Sequence, residues 1–363
     1  MKKVIFFISI LFIYNHSFAV CDTCKINIGM NLYTLYDWGT ENPFVNIMKF
    51  CKPWGTQNVV PVNGGQNSWN TGVIDQIPQD ADGYPLELPF HVSGQETLQV
   101  AYTVWTNTPA LPSGEYIVLY DGEGEINLWC DAIIISQTPG RIVVNVTAGL
   151  CSMMQLKISR SASGNHIRNI RFLMPGTEFT YQTQPYNQDW INKLKPFKTI
   201  RFMDWGATNN SPHISWNDRA QTGNYTWATK QGVPYEEMAR VCNYLNSDMW
   251  INIPHKADNN YITQMADLIR NNLNPNLKIY VEYSNELWNP TFEQTTYLNS
   301  IGNQNVPWPE RIVPFIQNAL DIWTTRFTGQ LNRIVRVVGM HSISPDVSER
   351  ICSTMNISSY DAV

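Results

Sequence analysis

Glu286 carries the clearest chemical potential in the chain. It lies in the run KIYVEYSNELWN (278–289), in which Ile279, Val281 and Tyr283 alternate as a β-strand does before the pattern stops on Ser284-Asn285-Glu286. A carboxylic acid beside an amide suits hydrolysis of a glycosidic bond. The acid protonates the departing oxygen, and the amide of Asn285 holds a sugar 2-hydroxyl. Tyr283 and Trp288 would give the acid an apolar rim, a setting that favours its protonated form. The competing reading is a strand-end glutamate that caps or ion-pairs with the next helix.

Other polar and aromatic residues follow strand-like runs in the same way. Asn31 and Tyr33 follow 26–31, Arg201, Asp204 and Trp205 lie at the end of 198–204, Asn252 and His255 at 249–253, and His341 and Ser342 at 334–340; a sixth run begins at 360. In parallel α/β folds the reacting groups project from the carboxyl ends of strands, so five such ends in register point to a shared site. Each residue has a plainer reading: Arg201 as a partner for Asp204 or another carboxylate, Trp205 and Trp288 as core aromatics, His255 as a helix cap.

Amphipathic helices separate these strands. Pro234 opens one with Met238, Val241, Cys242 and Leu245 on its apolar face, and Ile262, Met265, Ala266, Ile269 and Leu273 mark another. Strands alternating with helices imply a parallel sheet, closed or open. The stretch 57–174 has a different texture, with β-type runs such as GEYIVLYDG, DAIIIS and RIVVNV broken by Pro112-Ser113-Gly114, Pro139-Gly140 and Ser163-Gly164-Asn165. This spacing predicts an inserted β-sandwich. Trp105, Tyr116, Tyr120 and Trp129 are its candidate sugar platforms, with a place in the core as the alternative.

The segments RFMDWGATNNS (201–211), NIPHKADNNY (252–261) and YVEYSNELWN (280–289) resemble clan-A (β/α)8 glycoside hydrolases, in particular secreted glycosidases with a β-rich insertion after the first strand. The resemblance covers most of 26–60 and 197–362. It implies a TIM-type barrel holding strands 1 to about 6, with a β-sandwich insertion. Glu286 would then be the general acid/base and Asn285 the binder of the 2-hydroxyl. Arg201 would orient a nucleophile, and Asn31, Tyr283, His255, His341, Trp205 and Trp288 would line the sugar site. Retaining members place a second glutamate on the seventh strand, about 5–5.5 Å from the acid. No residue here corresponds to it, because the sequence stops at Val363 where the sixth strand begins. A truncated product, a completing partner chain, or substitution by Asp204 or Glu282 would each account for this. Glu282 is the weakest of the substitutes, since the alternation turns it away from the strand-end cluster or deep into the barrel. The enzymatic expectation is a retaining glycosidase if the barrel is whole; the alternative is a non-catalytic carbohydrate-binding protein or an inactive fragment.

Expected boundaries are a signal peptide at 1–19, the first barrel strand and helix at 20–56, the sandwich at 57–174 and the later barrel strands at 175–363. The leader has Lys2 and Lys3, an apolar run from Val4 to Tyr14, and Ser17-Phe18-Ala19, which predicts cleavage after Ala19 and a secreted or periplasmic product with no membrane anchor afterwards. An uncleaved anchor, or lipidation at Cys21, is the minor alternative. Net charge is −5, and the 25 Lys and Arg residues form no basic stripe, which argues against nucleic acid. The expected ligand is a polysaccharide or oligosaccharide. All seven cysteines follow the cleavage site, where an oxidising compartment would allow some to pair. Cys242 reads as core, and Cys21-x-x-Cys24 as a local disulfide or two thiols. Neither the cysteines nor His213, His255 and His341 have metal-ligand spacing, so no metal or cofactor is expected.

Overall fold

A computed structural model describes residues 25–60 and 69–363. The expected leader, its cleavage at Ala19, and Cys21 and Cys24 lie outside these residues.

Strand β1 (Ile26–Asn31) is followed by β2 (Gly55–Asn58), β3 (Gln99–Trp105), β4 (Gly114–Asp121), β5 (Gly124–Cys130), β6 (Ala132–Thr138), β7 (Arg141–Val146), β8 (Met154–Ser161) and β9 (Arg168–Leu173). The rhythm then alternates: α1 (Gln188–Leu194), β10 (Phe197–Arg201), α2 (Tyr235–Leu245), β11 (Asp248–Ile253), α3 (Asn259–Asn272), β12 (Ile279–Tyr283), α4 (Glu293–Ile301), α5 (Val313–Arg326), β13 (Ile334–Val337) and α6 (Pro345–Thr354).

β1, β10, β11, β12 and β13 form one parallel sheet in that order. Side chains alternate between its faces. Ile200, Met249, Ile251, Ile253, Ile279 and Val281 are buried on the face that α2 and α5 cover. Helix α2 buries Met238, Val241, Cys242 and Leu245, then stops at Asn246, whose φ of 53° is the left-handed value common at helix ends. Asp258 caps α3 by accepting the Tyr261 N–H at 2.6 Å. The opposite face carries Arg201, Trp250 and Tyr280 side by side in register. The guanidinium lies 5.3 Å from the Trp250 ring centre, and the two aromatic rings stack at 5.6 Å.

This sheet is open, which corrects the expectation of a (β/α)8 barrel. A barrel closes only when its first and last strands bond to each other with matched tilt and stagger. Among the described residues, β1 pairs with β10 alone, and its residues are exposed except for the half-buried Met30. At the other edge β13 pairs with β12, and where a sixth strand is expected there is a single parallel bridge from Val337 to Ala362. Asp361 is held there by the Arg336 guanidinium at 2.8 and 2.9 Å. The strand–helix pattern that suggested a barrel is common to open and closed parallel sheets.

The remaining strands make two antiparallel sheets, ordered β2-β3-β8-β5 and β6-β7-β4-β9. Trp105 of the first meets Phe172 of the second edge-on at 5.3 Å, and Tyr116 meets the same ring at 5.6 Å. β2 begins at Gly55, just before the expected boundary, and Ile47–Phe50 is a short 3₁₀ turn where the first helix is expected. The core runs on into the α/β half, where Phe44 packs against Trp205 and Trp227 at 5.7 and 5.1 Å. No helix among the described residues is long and apolar enough to cross a membrane.

Candidate active site at the strand ends

β12 ends in an unusual backbone. Ser284 and Glu286 both adopt left-handed φ values, 58° and 42°, which non-glycine residues seldom take without support from their surroundings. The support is visible: Ser284 donates its N–H to the Ile253 carbonyl at 2.8 Å, and its own carbonyl accepts from Asn252 Nδ2 at 2.7 Å. The turn lifts 285–289 across the carboxyl edge of the sheet. Glu286 emerges partly exposed, with Oε2 accepting from Asn289 Nδ2 at 2.9 Å. Asn285 is buried beside it. Its Oδ1 accepts from Arg201 Nη2 at 3.1 Å, and its Nδ2 donates to Asn209 Oδ1, also at 3.1 Å. Gln294 then ties the amides together, donating to Asn209 Oδ1 at 2.7 Å and to the Asn285 carbonyl at 2.9 Å.

Sequence reasoning gave Glu282 little weight, yet it is the hub beneath this turn. Its Oε2 accepts from Arg201 Nη2 and Trp250 Nε1, each at 3.0 Å, and from Asn252 Nδ2 at 2.9 Å. Arg201 therefore spans the two residues Glu282 and Asn285. Gly339 makes room for the carboxylate, since a Cβ there would lie 2.8 Å from Glu282 Oε1. Alternation sets Glu282 apart from Val281 and Tyr283, and the strand register is what puts it on the face that carries Trp250 and Arg201.

The other expected site residues divide. Trp288 is half-buried and stacks on His341 with ring centres 5.2 Å apart, so this pair does meet near Glu286. Trp205 does not present a stacking surface. It is 1% exposed, parallel to Trp190 at 5.9 Å, because the chain turns inward after β10. Tyr283 lies on the helix side of the sheet, buried, and donates its hydroxyl to the His255 carbonyl at 2.8 Å. His255 is buried too, its ring edge-on to Tyr297 and both ring nitrogens without a hydrogen-bond partner in the protein. Burial, then Lys256, holds its pKa down at about 4, so the imidazole is neutral at pH 7. Asn31 is exposed and donates to Asp204 Oδ2 at 3.0 Å.

A cleft of about 670 Å³ opens next to this cluster, lined by Tyr36, Asp204, Asn209, Asn210, Lys230 and Glu293 among others. Burial raises the Asp204 pKa against the opposing hydrogen bond from Asn31 and the charge of Arg201. Lys256 pairs with Glu293 and holds its pKa down. Glu286 does not line this cleft; Asn285 and Asn209 connect the two. Tyr36 and Trp38, exposed and stacked at 4.4 Å, rim a smaller neighbouring hollow, and they were missed by sequence reasoning. Their signal was the close spacing of Tyr33, Tyr36 and Trp38 just past β1.

Among the described residues, Cys130, Asp131 and Cys151 form a cluster of metal-ligand types, but the two sulfurs are joined in a disulfide. Asp131 is occupied by the Thr108 hydroxyl and by the N–H groups of Gly149 and Cys151. The donor set is thus already used within the protein. In comparison with known proteins, no family model, curated sequence or solved structure matches this chain.

Proposed function

We propose that the protein acts on a β-linked polysaccharide or oligosaccharide as a glycosidase, with Glu286 as the general acid/base. The reading keeps the local chemistry of the strand ends and gives up the barrel. One observation carries it: a left-handed turn holds a partly exposed carboxylic acid at the carboxyl edge of a parallel sheet, next to an amide pinned by Arg201. That edge is where open α/β sheets bind their ligands. Trp288, stacked on His341, offers an aromatic face beside the acid. The Cys130–Cys151 disulfide supports export to an oxidising compartment, secreted or periplasmic. No residue is assigned as nucleophile.

The test is release of reducing ends from β-linked polysaccharides by the full chain and by Glu286→Gln and Asp204→Asn. Glu286→Gln is expected to lower turnover by about 100-fold or more while leaving binding intact, as loss of a general acid does. Unchanged turnover in Glu286→Gln, or loss confined to Asp204→Asn, would overturn the assignment. A second reading, glycan binding without hydrolysis, is favoured by one feature: both ends of the Asn285 amide are committed to protein partners.

A further inference from the structure

The outer face of the β2-β3-β8-β5 sheet holds a cleft remote in sequence from Glu286. Strand β8 turns Met154, Leu156 and Ile158 into the core, so Gln155, Lys157 and Ser159 face outward. In register with them on β5 stand Trp129, opposite Gln155, and Asn127, opposite Lys157. On the other side of β8, Tyr102 of β3 lies opposite Lys157. Gly55 of β2 is opposite Tyr102, and a Cβ there would sit 2.7 Å from the Tyr102 ring, so the glycine lets the ring lie across the sheet. Trp69 packs edge-on to Tyr102 at 5.5 Å. The space among Gln57, Trp69, Asn127, Trp129, Gln155 and Lys157 is about 520 Å³, within the range of small-molecule sites.

Three features of this cleft demand a ligand-based explanation. Trp69 and Trp129 are 49% and 55% exposed, a large apolar area to leave in water. Between them the floor is polar: Asn127 donates to Ser159 Oγ at 2.6 Å, and Lys157 makes no ion pair among the described residues. Most telling, Gln155 lines the cleft yet is 95% buried, and its Nε2 has no hydrogen-bond partner in the protein.

We propose that this cleft is a second glycan-binding site, taking a polysaccharide chain whose pyranose rings rest on Trp69 and Trp129 and whose hydroxyls bond to Gln155, Lys157, Asn127 and Gln57. A pyranose ring has what the cleft asks for, an apolar C–H face and a rim of hydroxyls. An indole face packs on the former, and amide and ammonium groups serve the latter. A peptide strand fits less well. The cleft lies over the outward face of the sheet, centred on β8, whose backbone is paired on both sides, so a chain seated in it meets side chains rather than adding to an edge strand. The site stands apart from the Glu286 assignment and does not rest on it.

Affinity electrophoresis of the full chain through gels containing barley β-glucan, β-mannan, xylan or polygalacturonate tests the proposal. At least one of these is expected to retard the protein. Trp69→Ala and Trp129→Ala should each weaken that retardation at least tenfold with an unaltered thermal melt, since both side chains lie at the surface. Gln155→Leu, which keeps the volume and removes the donor, should weaken it as well. Retardation by none of the four polysaccharides, or undiminished retardation of both tryptophan variants, would overturn the proposal. So would a self-association in sedimentation that both tryptophan variants abolish while no glycan binds, which would make the face a protein interface.

Discussion

Two glutamates four residues apart have opposite surroundings, and the difference follows from where the strand ends between them. Glu282 sits within β12, 5% exposed, with three donors on one oxygen; Glu286 sits beyond its end, partly exposed, with one amide donor. Removing one member of a buried ion pair strands the other charge. Glu282→Ala is therefore expected to destabilise the fold by about 3–5 kcal/mol in urea titration. Glu282→Gln should lose less, because it keeps an acceptor for Trp250 and Asn252. A loss near zero in Glu282→Ala would mean that Arg201 is neutralised elsewhere. Alternation within 278–284 made Glu282 an odd residue out between Val281 and Tyr283. It could not show that Arg201, 81 residues earlier, would lie across from it. That information resides in the register of three strands, and register is set by packing rather than by any one strand's pattern.

At the scale of elements, periodicity located the strands and helices well where one face is buried and the other is not. The four later parallel strands and the helices α2 and α3 fall where their apolar spacing puts them. GEINLWC, which becomes β5, was hidden because its outward face carries Trp129 and its start carries the turn glycines Gly122 and Gly124. Aromatic residues were harder to place. Of the candidate platforms, Trp105 and Tyr116 take the alternative place in the core, whereas Trp129 is exposed, and Trp69 lay outside the expected strands. A tryptophan's type does not report its face; the register of its neighbours does. The turn after β12 was invisible for a related reason, since nothing in Ser-Asn-Glu signals two left-handed residues. If these conformations are held against their preference, Ser284→Gly relieves one of them without losing a hydrogen bond, because Ser284 Oγ has no partner in the protein. The expected result is a gain of roughly 0.5–1 kcal/mol in chemical denaturation. A loss would show that the Ser284 Cβ packing outweighs the backbone strain.

For the molecule as a whole, an open parallel sheet and a double antiparallel sheet share one continuous core, and that core has enclosed two histidines. His213 and His255 are each 2% exposed, and burial lowers the pKa of both from 6.5 to about 4. Folded pKa values below the unfolded ones mean that, between pH 4 and 6.5, the unfolded chain binds more protons than the folded one. Stability then rises with pH across that window and is lost as pH falls through it. Asp204 and Glu237, whose pKa values burial raises, bind protons more readily when folded and tilt the curve the other way. The histidine contribution must therefore be read as a difference between proteins measured under the same conditions. Thermal melts of the parent chain and of a His213→Asn, His255→Asn double variant, taken from pH 7.5 to 4, should show the gap between their midpoints narrowing or reversing as the pH falls. The parent alone pays to charge two enclosed imidazoles. Parallel curves over that range would mean that the rings reach water in the folded state and that the acid limb belongs to the carboxylates.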